Sequence, residues 1–97
     1  MEEHPSQTRY FLTYSGIRLP LALSDELEPA SVRHRGTYFK AHYDHRGRMI
    51  HIEKIVYGEV EMEHVYEYDL TGRLLTARIT TAGEETQVLS FESHAES

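Results

Sequence analysis

The chain has 97 residues, with 10 lysines and arginines against 16 aspartates and glutamates for a formal net charge of -6, seven histidines, and no cysteine. A chain this short has room for one small core, and without cysteine it has no disulfide, thiolate metal site or cysteine nucleophile. The acidic balance argues against a nucleic-acid partner. No apolar run approaches the roughly 18 residues of a membrane span, and Met1-Glu2-Glu3-His4-Pro5 is unlike a signal peptide, so we expect a soluble, cytoplasmic protein with no membrane partner.

In chain order, almost every segment alternates with period two between glycine-bearing turns, the mark of strands. Thr8 to Tyr14 and Ile17 to Leu23 flank Ser15-Gly16, which predicts a hairpin with a two-residue loop. In that register Tyr10, Leu12 and Tyr14 share an apolar face with Ile17, Leu19 and Leu21. Pro20 cannot donate to a ladder, so the second strand is expected at an edge. Residues 24–36, with Ser24, Asp25, Glu26 and Pro29, are expected to form an irregular connection with a turn or two of helix, stopped at Gly36.

From Thr37 the chain reads as a meander. Tyr38 to Asp44, Arg48 to Tyr57, Glu59 to Asp69, Arg73 to Thr80 and Thr86 to Glu92 are its predicted strands. The fold class is therefore all-β: one antiparallel meander sheet of about seven strands, strongly twisted or curled. Residues 1–97 are expected to form a single domain, with 1–7 and 93–97 as flexible tails. The two Asp-x-x-Gly-Arg turns have a physical basis. Asp44 and Asp69 can cap a type I turn, and Gly47 and Gly72 can take the left-handed position of a bulge.

Uninterrupted ladders counted from Tyr57-Gly58, Leu70 to Gly72 and Ala82-Gly83 would set Lys54 opposite Glu61, Arg48 opposite Glu67, His51 opposite His64, His64 opposite Arg78, and Thr76 opposite Leu89. One face then collects Phe39, Ala41, Tyr43, Met49, Ile55, Val60, Met62, Tyr66, Tyr68, Leu74, Leu89 and Phe91. The other has an apolar centre of Ile50, Ile52, Val65, Leu75, Ala77, Ile79 and Val88. Both faces are partly apolar, so curling, a dimer or a partner must cover one of them. Charge is also uneven: Arg33 to Lys54 holds six bases against two acids, and residues 55–97 hold nine acids against two bases. Internal pairing between strands of opposite sign accounts for that split.

Tyr43-Asp44-His45-Arg46-Gly47-Arg48-Met49 and Tyr68-Asp69-Leu70-Thr71-Gly72-Arg73-Leu74 form an internal repeat 25 residues apart. Each copy resembles the YD repeat of Rhs-type bacterial proteins, in which the unit is a β-hairpin strip. The chain also resembles a family of short uncharacterised bacterial proteins through Arg9-Tyr10-Phe11-Leu12-Thr13-Tyr14-Ser15-Gly16, Leu19-Pro20-Leu21 and Val56-Tyr57-Gly58-Glu59-Val60-Glu61. That resemblance implies a stand-alone domain and transfers no catalytic residue.

No nucleophile elbow, zinc-protease, P-loop or dinucleotide motif occurs, and we expect no catalytic residue and no cofactor. Glu59, Glu61, Glu63 and Glu67 form a glutamate ladder, expected to make salt bridges with Lys40, Arg48 and Lys54. No metal is expected either; the residues that could hold one are His51 and His64, completed by Glu53, with Arg78 beside them disfavouring a cation. Tyr66, His51, His64 and Arg78 would form the face for a ligand or partner. The expected function is binding, of a protein partner or of a second copy in a homodimer, by strand addition at the Tyr10–Tyr14 hairpin or the Val88–Phe91 strand. The alternative is a small-molecule or metal binder, or a minor enzyme, using the His51, His64 and Arg78 face. Neighbouring imidazoles also predict stability that falls as pH drops from about 7 to 5.

Overall fold

A computed structural model describes residues 7–16 and 18–91. The predicted tails lie outside the described residues, except Gln7, which opens the first strand. The elements are β1 (Gln7–Ser15), β2 (Ala22–Leu27), a short 3-10 helix (Pro29–His34), β3 (Thr37–Tyr43), β4 (Met49–Val56), β5 (Glu59–Tyr68), β6 (Leu74–Thr81) and β7 (Gln87–Ser90). They form one antiparallel sheet in the order β2-β1-β3-β4-β5-β6-β7, open at β2 and at β7. The all-β expectation holds, as do the helical turn before Gly36 and the edge position of the second strand, but Ser24 to Leu27, expected in the irregular connection, belong to β2.

The first hairpin departs from expectation. β2 starts at Ala22, and Ser15 pairs with Ala22 and Tyr14 with Leu23, so Arg18 to Leu21 of the predicted second strand lie outside the ladder, and Ile17 lies outside the described residues. Leu19 and Leu21 explain it. A tight turn would leave alternate residues of this stretch in water, whereas the loop packs Leu19 and Leu21 against the core of the sheet. The N–H of Leu21 is then satisfied by a side chain, the Tyr66 hydroxyl at 3.2 Å, and needs no ladder partner.

Both Asp-x-x-Gly-Arg turns are built as predicted, and almost bond for bond alike. The Asp44 N–H donates to the Arg48 carbonyl at 2.9 Å and the Asp69 N–H to the Arg73 carbonyl at 2.9 Å. One carboxylate oxygen accepts from Arg46 and Arg48 N–H in the first turn, and from Thr71 and Arg73 N–H in the second. Gly47 and Gly72 sit at φ of 81° and 93°, where any side chain is strained.

In three of the ladders the register slips by one residue close to the turn. Tyr43 pairs with Met49 but His42 with His51, which leaves Ile50 as an extra residue in β4. Ile55 pairs with Val60 but Lys54 with Met62, so Glu61 is extra in β5. Tyr68 pairs with Leu74 but Glu67 with Thr76, so Leu75 is extra in β6. These are β-bulges, and each reverses the side-chain alternation beyond it. Two bulge carbonyls are used elsewhere: Glu61 accepts from Ala82 N–H at 2.8 Å and Leu75 from Phe91 N–H at 2.7 Å.

The bulges correct the predicted faces. Ile52, Ala77 and Ile79 belong with Phe39, Ala41, Tyr43, Met49, Met62, Tyr66, Tyr68 and Leu74, while Ile55 and Val60 move to the opposite side. Apolar residues are thereby concentrated on one dry face. Its buried centre is Phe11, Leu21, Phe39, Ala41, Ile52, Tyr66 and Ala77, with the Leu19–Leu21 loop lying over it. Ala41 and Ala77 are fully buried, so larger side chains there would push against neighbours with no room to yield. On the other side, Tyr10 meets Tyr38 edge-on with ring centres 6.0 Å apart, and Tyr38 pairs with Ile55, near the strand against which the 3-10 helix packs. From β4 to β7 that second face stays open.

Candidate functional site

The open face carries a histidine–glutamate cluster assembled from three neighbouring strands. Alternation after the Ile50 bulge turns His51 and Glu53 of β4 outward, and cross-strand pairing sets His42 of β3 directly opposite His51. The two imidazoles stack, with ring centres 5.2 Å apart and planes inclined by 23°. On the far side Glu63 of β5 lies directly opposite Glu53. His51 Nε2 and Glu63 Oε2 are hydrogen-bonded at 2.6 Å, and His42 Nε2 lies 3.9 Å from Glu53 Oε1. Thr8 Oγ1 shares a 3.0 Å hydrogen bond with His42 Nδ1, which fixes the ring and leaves Nε2 facing the cluster.

One ligand-competent atom from each of His51, Glu53 and Glu63 lies within 4.8 Å of the other two. The four side chains are half-buried, from 16% exposed at His42 to 38% at Glu63. His42 is held below the ordinary imidazole range first by burial, then by the His51 ring and Lys40. A shallow groove continues from the cluster along Ile50, Val65 and Glu67, and a smaller one follows along Thr76, Arg78 and Val88 as far as β7.

The four residues predicted to share one face are divided by the sheet. His51 and Arg78 stand on the open face, with Arg78 across from Val65 and not from His64. His64 and Tyr66 are buried on the dry face, where His64 Nδ1 and the Tyr66 hydroxyl are 2.6 Å apart. The predicted His51–His64 pair is therefore replaced by Ile52–His64 and His51–Val65, because the Glu61 bulge shifts that ladder by one. Burial alone holds His64 below the ordinary imidazole range, and burial pushes Tyr66 up to about 12. The Tyr66 oxygen accepts from Leu21 N–H and shares its second hydrogen bond with His64 Nδ1, so one hydroxyl joins the loop to the buried imidazole. This is a structural relay, closed to solvent.

The other predicted pairings are met in part. Lys54 Nζ reaches Glu61 Oε1 at 3.1 Å despite the bulge. Arg48 bonds Asp44 at 2.9 Å and lies over the Tyr68 ring, while Glu67 accepts from Thr76 Oγ1 at 2.9 Å, so the Arg48–Glu67 pair is not made. Within the cluster, Glu53 was foreseen as a helper to His51; His42 and Glu63 were not. Like charges set directly opposite at Glu53 and Glu63 would have been the signal, but only in the bulged register.

Among the described residues no helix is long and apolar enough to cross a membrane. No curated protein and no solved structure matches the chain. Residues 3–97 match the model of a family of unknown function, DUF6156, and the chain belongs to that family.

Proposed function

From membership of a family that carries no activity with it, we propose that the chain is a binding protein that acts by strand addition at β7, its occupant a second copy of itself. The contrast between the two sheet edges carries this assignment. β2 is guarded: Asp25 takes a left-handed φ of 61°, and Asp25 with Glu26 would face like charges in a β2–β2 pair. β7 has no such guard. Gln87-Val88-Leu89-Ser90 has no charge and no proline, every residue of it is exposed, and Val88, Leu89 and Phe91 leave apolar surface on both sides.

A two-fold pairing of β7 with its copy would continue the sheet without opposing like charges, as an isologous contact requires. The Phe91 N–H bonds inward to β6, so by alternation the N–H and C=O groups of Val88 and Ser90 face outward. Four residues supply few ladder bonds against the entropy cost of association, so the dimer is weak and depends on concentration. Kinship of the two Asp-x-x-Gly-Arg hairpins with YD-type strips belongs to this proposal; the near-identical bonding of the two turns supports it.

Light scattering across a concentration series tests the assignment. Mass should rise from 11.3 kDa towards twice that value at millimolar concentration. Val88→Pro, which removes an outward N–H and no bond to β6, should stay monomeric with an unchanged circular dichroism spectrum. A wild type that remains monomeric, or a Val88→Pro protein that associates as the wild type does, overturns it.

A further inference from the structure

The cluster on the open face goes beyond strand addition. We propose that His51, Glu53 and Glu63 bind a divalent transition ion of the zinc type, with His42 beside the fourth position.

Three observations converge. First, the donors are the right kind and number: one imidazole and two carboxylates within 4.8 Å, on adjacent strands of a rigid sheet and not on loops. An ion about 2.0–2.2 Å from each donor sets neighbouring donor atoms roughly 3.3 Å apart, which side-chain rotation alone can reach from this arrangement. Second, Glu53 and Glu63 lie directly opposite one another, a like-charge pair that costs stability unless a cation sits between them. The two carboxylates carry a charge of -2, which a divalent ion cancels. Third, the hydrogen bond between Thr8 Oγ1 and His42 Nδ1 orients the second imidazole as outer-shell partners orient metal-binding histidines, with Nε2 turned towards Glu53.

The hydrogen bond between His51 Nε2 and Glu63 Oε2 would give way to the ion, and Lys40, directly opposite Glu53 on its other side, would remain beside that carboxylate. The site is shallow and half-exposed, which leaves a coordination position for water or for an exchangeable ligand.

The test is calorimetric titration of the untagged full chain with Zn²⁺, beside thermal melts with Zn²⁺ and with EDTA. We expect one ion per chain and a melting temperature raised by Zn²⁺ and restored by EDTA. His51→Gln and Glu63→Gln keep side-chain shape and should each weaken binding at least tenfold, whereas Glu67→Gln should leave it unchanged. Absence of heat and of a thermal shift at high micromolar Zn²⁺ overturns the proposal. So does binding that survives both substitutions, since the ion would then be held by other histidines. If either variant loses the wild-type circular dichroism spectrum, imidazole nitrogen shifts of His51 and His42 in the wild type decide: they move with Zn²⁺, or the proposal falls.

Discussion

Tyr66→Phe isolates the polar relay that ties the Leu19–Leu21 loop to the sheet. The substitution removes one oxygen and leaves the ring, which is 2% exposed, in place. Two buried groups then lose their partner: the Leu21 N–H, bonded at 3.2 Å, and His64 Nδ1, bonded at 2.6 Å. Each unsatisfied buried group costs about 1–3 kcal/mol, and the hydroxyl's own burial cost of about 1 kcal/mol is recovered, so the net loss is about 1–5 kcal/mol. For a domain of this size each kcal/mol lowers the melting temperature by roughly 4–8 °C. Tyr68→Phe is the control, because the Tyr68 hydroxyl donates only to the Met49 carbonyl, and it should cost about 1 kcal/mol. Urea unfolding of both variants measures the difference. A Tyr66→Phe cost below about 0.5 kcal/mol, or no larger than that of Tyr68→Phe, would refute the relay as a structural element.

Two further outcomes follow from the turns and the imidazoles. Gly47→Val and Gly72→Val should each cost about 1–2 kcal/mol or more, since a branched side chain is strained at positive φ, while Arg46→Ala at a central turn position should cost under about 0.5 kcal/mol; thermal melts rank them. His64 and His42 are both held below the ordinary imidazole range, so in acid the unfolded chain binds protons first. Unfolding free energy should therefore fall as pH drops below about 6.5, until both groups protonate in the folded state. Chemical denaturation at a series of pH values checks this, and a flat profile between about pH 7 and 5 would count against it. A separate loss belongs near pH 4 and below. Burial works to raise the Asp44 carboxyl, but hydrogen bonds from the Arg48 backbone, the Arg48 side chain and the Arg46 backbone outweigh it and hold it below the usual range.

Much of the architecture was legible because strands and turns have local chemistry. Alternation found the strands, and Asp44 and Asp69 with their glycines marked two hairpins. What stayed hidden was parity. Ile50, Glu61 and Leu75 are ordinary strand residues with no compositional mark of a bulge, and each unseen bulge turns the rest of its strand over. Hence Ile52 and Ala77 were read onto the wrong face, and His51 was set against His64 when its neighbours are His42 and Glu63. The apparent difficulty of two half-apolar faces came from the same miscount. Ser15-Gly16 misled differently: a good turn dipeptide stands at the start of a longer loop, and the competing signal was the burial demanded by Leu19 and Leu21.

The bulges also determine where this chain can change length. In a regular strand, losing one residue moves every later side chain through the sheet, exchanging wet positions for dry. At Ile50, Glu61 and Leu75 the arithmetic runs the other way. Deleting Glu61 joins Val60 to Met62, which already point to opposite sides, and the alternation closes without turning any other side chain over. The same is true of Met49 with His51 and of Leu74 with Thr76. Three interior positions in the middle of the sheet are thus its tolerant points for single-residue deletion, a property ordinarily found in loops.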